Sequence, residues 1–257
     1  MKKRLVFFSV SVTVTDDNGA TDTSQIQITV SGTNDSPIAG ASVSASVDEG
    51  ATSISGQLTS TDLDDGATST FTVSSGSTAP DGFVLNTDGS YSFDPADASY
   101  DHLNVDDSVI LTVPVTVTDD QGATDTSQIQ ITVSGTNDAP VAGASVSANV
   151  DEGAASISGQ LTSTDLDDNA TATFTVSSGS TAPDGFVLNA DGSYSFDPAD
   201  TSYDHLNVDD SVILTIPVTV TDDQGATDTS QIQITISGTN DETVAGAVGT
   251  AIADDDA

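Results

Sequence analysis

From residue 5 onward, apolar and polar positions alternate along almost every extended run. Val10-Ser11-Val12-Thr13-Val14 and Gln25-Ile26-Gln27-Ile28-Thr29-Val30 place Val and Ile on one side and Ser, Thr and Gln on the other. A period of two is the pattern of a half-buried strand, because successive side chains leave a pleated chain on opposite faces. The same alternation marks residues 43–47, 53–58, 70–73, 83–85, 90–93, 109–117 and 128–133, each bounded by Gly, Asp, Asn or Pro. Thr87-Asp88-Gly89, between two of these runs, predicts a hairpin turn. No run has the 3.6-residue period of an amphipathic helix. Pro114 and Pro217 fall inside a strand pattern, which predicts a sheet edge or a bulge there.

The pattern repeats. Thr118-Asp119-Asp120-Gln121-Gly122-Ala123-Thr124-Asp125-Thr126 returns 103 residues later at Thr221–Thr229 and, with one change, 103 residues earlier at Thr15–Thr23. Residues 36–138 and 139–241 differ at only 10 of 103 positions, so they must share one fold. One of the ten is Gly66 against Asn169, both residue types that tolerate positive φ. A unit of this length is too long for a solenoid repeat and has the size of a self-supporting domain. The chain therefore reads as two whole modules, 36–138 and 139–241. Residues 1–35 are the last third of a module, and 242–257 open a further, divergent one. About seven short strands per module predict an all-β sandwich, repeated as beads on a string.

Charge changes the picture. There are 40 acidic residues against three basic ones, a formal net charge of −37. The three are Lys2, Lys3 and Arg4, so past residue 4 no Lys or Arg exists to offset the acids. A compact chain of one sign repels itself, and an external cation must relieve that. Nucleic acid is a poor partner, since phosphate contacts need basic side chains, and an anionic membrane surface is disfavoured for the same reason. No segment is long and apolar enough to span a bilayer as a helix. Cysteine is absent, which removes disulfides and thiolate metal sites. Met1-Lys2-Lys3-Arg4 before Leu5-Val6-Phe7-Phe8 looks like the start of a signal peptide. No small-x-small site closes it, however, and from Val6 it aligns with the repeat. The strand reading of residues 1–12 is preferred over the signal peptide. His102 and His205, one per module in a Tyr-Asp-His-Leu phrase, read as packing or turn residues. No nucleophile elbow or phosphate-binding loop occurs, so the chain reads as non-enzymatic.

The acids are not scattered. They gather where strands end: Asp48-Glu49, Asp62-Leu63-Asp64-Asp65, Asp119-Asp120 and Asn137-Asp138, with their module-two copies. Oxygen donors without nitrogen or sulfur donors suit calcium rather than zinc or copper. A D-x-D spacing on an extended loop turns both carboxylates the same way, so that they can share an ion.

Val115-Thr116-Val117-Thr118-Asp119, then residues 128–140 with Gly135-Thr136-Asn137-Asp138-Ala139-Pro140, resemble the closing strands and linker of a cadherin repeat. The Gly-Thr-Asn-Asp-x-Pro ending, Asp88-Gly89-Ser90-Tyr91-Ser92-Phe93 and Tyr100-Asp101-His102-Leu103 resemble the VCBS-type, cadherin-like repeats of large bacterial adhesins exported by type I secretion. The resemblance spans nearly the whole chain. It implies immunoglobulin- or cadherin-like sandwiches with calcium at the junctions between modules. Carried over, the central junction would use Glu49, Asn137, Asp138, Asp165, Asp167 and Asp222. The one before it would use Asn34, Asp35, Asp62, Asp64 and Asp119, and the one after it Glu152, Asn240 and Asp241. The linker lacks the first Asp and second Asn of the cadherin pattern, and the mid-module Asp-Arg-Glu motif is absent, which leaves the number of ions per junction open. The resemblance further implies spacer modules of a secreted or surface protein serving adhesion or biofilm formation. Their partners would be calcium and neighbouring repeats, and any cell-surface or glycan ligand would lie elsewhere in a longer parent protein. A glycan-binding adhesin module is the alternative. The absence of Trp, and of any exposed-aromatic pattern at Tyr91 and Phe93, favours the spacer.

Overall fold

The computed structural model describes residues 5–241; the last stretch, 242–257, read above as the opening of a further module, and Met1–Arg4 of the signal-peptide reading lie outside them. Every regular element among the described residues is a strand. The chain divides into two compact units between Thr136 and Asn137.

In the first unit, β1 (Leu5–Thr15) and β2 (Thr21–Ser31) form a separate two-stranded sheet. The module proper follows with β3 (Ile38–Ala39), β4 (Val43–Asp48), β5 (Ile54–Gln57), β6 (Ser60–Thr61), β7 (Ser69–Val73), β8 (Phe83–Leu85), β9 (Ser90–Phe93), β10 (Ser108–Asp119) and β11 (Thr124–Ser134). The seven strands expected from alternation are all present. The two additions, β3 and β6, are two-residue strands that pair with each other, too short to show a period. One sheet has the order β4-β11-β10-β7 and the other β5-β9-β8. β4 runs parallel to β11, and the remaining pairs are antiparallel.

The two sheets share one core. Val113, Val115 and Val117 of β10 and Ile129, Ile131 and Val133 of β11 are fully buried against Phe71, Phe83 and Phe93. Their alternation with Thr, Gln and Pro in the sequence is the pleat seen edge-on. Phe93 meets Tyr100 edge to face, ring centroids 5.5 Å apart, and Phe83 stacks on Tyr91 at 6.0 Å. The aromatics thus serve the core. Gly56 lies opposite Tyr91 in the β5–β9 ladder, and a Cβ there would collide with the tyrosine ring. Only glycine lets the ring lie across the strand.

One expectation is corrected and one is narrowed. Pro114 lies in an inner strand, not at an edge or bulge. Ser74 N donates to Pro114 O at 2.9 Å, so that residue faces the β7 side, just past the last β10–β7 pair at Val115–Val73. The Ser74 carbonyl opposite it accepts the Ser77 N–H at 3.1 Å instead, so the donor that proline lacks leaves no acceptor unpaired there. His102 and His205 are exposed, in turns between buried Tyr100 and Leu103 and between buried Tyr203 and Leu206. They take the turn role and not the packing role.

The second unit repeats the module: β12 (Val141–Ala142), β13 (Val146–Asp151), β14 (Ile157–Gln160), β15 (Ser163–Thr164), β16 (Ala172–Val176), β17 (Phe186–Leu188), β18 (Ser193–Phe196), β19 (Ser211–Asp222) and β20 (Thr227–Ser237). Its sheets have the orders β13-β20-β19-β16 and β14-β18-β17. Gly66 and Asn169 have φ of 78° and 59°, the shared left-handed turn that the exchange required.

Candidate metal centre

The inward stripe of β19 runs Ile216, Val218, Val220, Asp222, so alternation itself drives the last position, a carboxylate, into the rim of the core. Asp222 Oδ1 accepts backbone N–H bonds from Gln224 at 2.9 Å, Gly225 at 2.6 Å and Ala226 at 2.8 Å, closing the β19–β20 turn. Its Oδ2 accepts from Asn137 Nδ2 at 3.0 Å. Burial pushes the carboxyl up, but these donors outweigh it, and the pKa falls below the usual Asp range.

Asp167 completes the arrangement. Its Oδ2 accepts the Asp138 N–H at 3.0 Å, and its own N–H donates to Asp165 Oδ1 at 3.1 Å. The D-x-D pair is therefore a local Asx turn with one carboxylate turned inward. Asp167 is only 7 % exposed. Burial, aided by the charges of Asp165, Asp222 and Asp223, raises its pKa against the single lowering bond from Asp138. Two buried oxygens here, Asp167 Oδ1 and Asn137 Oδ1, meet no donor. Buried acceptors without donors are costly, and neighbouring carboxylates deepen the cost. A hard divalent cation answers both needs, and the oxygen-only donor set fits calcium. Asn137, Asp138, Asp165, Asp167 and Asp222 are thus brought together within the second unit.

The first unit reproduces the constellation. Asn34 Nδ2 donates to Asp119 Oδ2 at 2.9 Å, Asp35 N to Asp64 Oδ2 at 2.8 Å, and Asp64 N to Asp62 Oδ1 at 2.8 Å. Asp62 Oδ2 is a buried oxygen without a donor. The Asn34 amide is the main cause holding the Asp119 carboxyl below its usual range, against burial and with further help from backbone N–H groups at Ala123, Gln121 and Gly122.

Each glutamate closes the last strand of its own module. Glu49 Oε1 accepts the Thr136 N–H at 2.6 Å, and the Glu49 N–H donates to Ser134 O at 2.9 Å. Glu152 does the same with Thr239 and Ser237. Each sits where the last strand leaves its module, an 11-residue strand away from the turn of its own module's Asp119 or Asp222, roughly 35 Å at about 3.3 Å per residue. Glu152 is 6 % exposed, and its Oε2 is a buried oxygen without a donor. Asn240 and Asp241 are exposed, and the contact seen for them is Asn240 Nδ2 to Asp241 O at 3.2 Å.

One pair escaped the sequence reading. Asp125 Oδ2 accepts the Ala39 N–H at 2.8 Å, and Asp228 accepts that of Ala142 at 2.8 Å. Each pins the incoming strand to the last one. Those bonds are the first cause of the lowered pKa of both carboxylates, followed by N–H bonds from Thr126 and Thr229. The signal was present: Asp125 and Ser127 share the inward parity of Ile129 and Ile131.

A family model described as bacterial cadherin-like domain matches residues 34–135 and 137–238. A search of curated proteins returns no match. Among solved structures, PcdhgB3 EC1-4 is 13% identical with TM-score 0.49, over 92% of this chain and 67% of that one. Protocadherin gamma C5 EC1-3 is 15% identical with TM-score 0.49, over 89% and 76%. Mouse cadherin-23 EC22-24 is 17% identical with TM-score 0.43, over 91% and 74%. At such identities and scores the likeness carries no argument about function.

Proposed function

The chain belongs to the bacterial cadherin-like domain family, and from that premise we propose that its modules are calcium-stiffened spacers of a secreted bacterial surface adhesin, exported by type I secretion. Cadherin-like repeats are typically extracellular adhesion or extender modules and not enzymes. No helix among the described residues is long and apolar enough to cross a membrane. The proposed ligands at the second module are Asn137, Asp138, Asp165, Asp167 and Asp222. Glu49, which holds Thr136 one residue before Asn137, is proposed as the contribution of the preceding module. Asn34, Asp35, Asp62, Asp64 and Asp119 would serve the preceding junction, and Glu152, Asn240 and Asp241 the following one.

The observation that carries this reading is Asp167, a buried carboxylate with one donorless oxygen among other acids, in a chain whose Lys and Arg end at residue 4. Two carboxylate charges about 4 Å apart repel by about 1 kcal/mol in water and several-fold more near protein. Calcium turns that repulsion into shared ligation. Extracellular calcium modules bind at about 10⁻⁴ to 10⁻³ M, so the array would be loose at intracellular calcium and rigid outside.

Calorimetric titration with calcium, paired with small-angle scattering in calcium and in chelator, tests both parts. Saturable uptake with an increase in maximum dimension is expected. Uptake without a change in dimension would remove the stiffening, and no uptake would remove the metal.

A further inference from the structure

The turn between β1 and β2 carries an asparagine where both whole modules carry a glutamine. Residues 15–35 match 118–138 at every other position, so Asn18 occupies the place of Gln121 and, one module on, of Gln224. All three side chains are exposed. Gln121 and Gln224 are exposed within complete modules, so this position faces solvent whether or not strands cover the rest of the hairpin.

Asn18 stands apart from the other asparagines in two ways. Glycine follows it, whereas Asp, Thr, Val or Ala follows each of the other nine. A backbone nitrogen with no side chain beside it is the least crowded nucleophile in a chain. Nothing packs over Gly19 either, since a Cβ there would meet no atom within 4 Å. The Asn18 amide is also free to turn, having no partner among the described residues. By contrast, Asn34 donates to Asp119, Asn104 to Asp107, Asn137 to Asp222 and Asn207 to Asp210. Gln121 and Gln224 are tied to Asp120 and Asp223 at 3.1 and 3.2 Å. One contact opposes reaction. The Gly19 N–H donates to Asp16 O at 3.1 Å, in a turn that Asp16 Oδ1 closes with bonds from Asn18 N at 3.0 Å and Ala20 N at 2.8 Å. These are solvent-exposed bonds of one short turn, the kind that opens most readily.

We propose that Asn18 is a self-modification site, which deamidates through Gly19 at a rate set by the Asp16 turn. The Gly19 nitrogen loses its proton to hydroxide and attacks Asn18 Cγ. The new N–Cγ bond closes a five-membered imide, the Cγ–Nδ2 bond breaks, and Nδ2 leaves as ammonia with a proton from water. Water then opens the imide. Opening at the side-chain carbonyl gives Asp, and opening at the backbone carbonyl gives isoaspartate, with one extra carbon in the main chain. No atom is oxidised or reduced. The same attack at Gln121 or Gln224 needs a six-membered ring, which closes far more slowly, so the two modules keep their turns. Either product adds a negative charge beside Asp16 and Asp17. Isoaspartate also lengthens the turn that sets Thr15 opposite Thr21.

The test incubates the full chain in mildly alkaline and in mildly acidic buffer, then maps amide loss by mass spectrometry. Pepsin makes the peptides, since no Lys or Arg past residue 4 offers a site to a basic-specific protease. Asn18 should be the first amide lost, faster in alkali, with isoaspartate resolved by electron-transfer fragmentation. Asp16→Ala should speed the loss about tenfold through two missing turn bonds, and Asn18→Gln should stop it. Thermal melts confirm that both modules stay folded in each variant. The proposal is overturned if Asn18 persists in the chain while it converts in a free peptide of residues 15–21. It is overturned equally if another asparagine is lost first, or if Asp16→Ala converts no faster than the parent.

Discussion

The hairpin Leu5–Ser31 and the β10–β11 pair are almost one sequence in two environments. Register and turn bonds coincide, and the strand ends differ only in that β10 runs one residue further, to Asp119. Burial does not: Ile28 is 48 % exposed and its counterpart Ile131 is 0 %. Pairing and register are thus local properties, set by alternation and by the Asp-capped turn. Burial is a gift of distant strands, β4, β7 and the opposite sheet.

The sharpest way to break that comparison is truncation. Ile131→Ala should destabilise the first module by about 2–5 kcal/mol, the usual range for emptying a filled core site. Ile28→Ala should change stability by less than about 0.5 kcal/mol, as for an exposed side chain. Denaturant unfolding of the two variants decides, and similar losses would show that the hairpin is covered in solution.

A smaller difference is expected at the anchors. Asp125→Asn weakens the hold on Ala39 and should lower the melting temperature, whereas Asp22→Asn holds no strand and should not. The sign with pH follows from the lowered pKa of Asp125 and Asp228. Their stabilisation is full above the ordinary carboxylate range and fades as pH falls through it to their folded values. Melts from pH 7 down to pH 3 should therefore fall less steeply in Asp125→Asn/Asp228→Asn than in the parent.

The smallest effect concerns Asp167. Removing its charge should raise the melting temperature slightly in chelator, because a buried and crowded carboxylate becomes neutral. The same change should remove most of the gain on adding calcium. A variant that loses stability in chelator and still responds fully to calcium would place the ion elsewhere.

Much of this fold could be read from alternation, because Val, Ile and Thr at period two leave little choice of element. The acidic clusters were also visible, since strand interiors hold almost no acid. β3 and β6 were not, being held by the Asp125 bond and by each other rather than by any pattern of their own. Pro114 misled because a sequence does not say which side of a strand lacks a neighbour. Asp125 was missed because its signal is only its parity with Ile129, two turns of the pleat away. Gly56 carries no signal of its own in the sequence, because its reason is the ring of Tyr91 on the neighbouring strand.

The parallel pairing of β4 with β11 has a mechanical consequence. The chain enters a module beside Val43 and leaves it beyond Ser134, and the register runs from Val43–Ile129 to Asp48–Ser134. Tension along the backbone therefore pulls first and last strands past each other in opposite directions. Their cross-strand bonds are loaded together in shear rather than opened one after another like a zipper, so the module resists stretching up to a threshold and then yields abruptly.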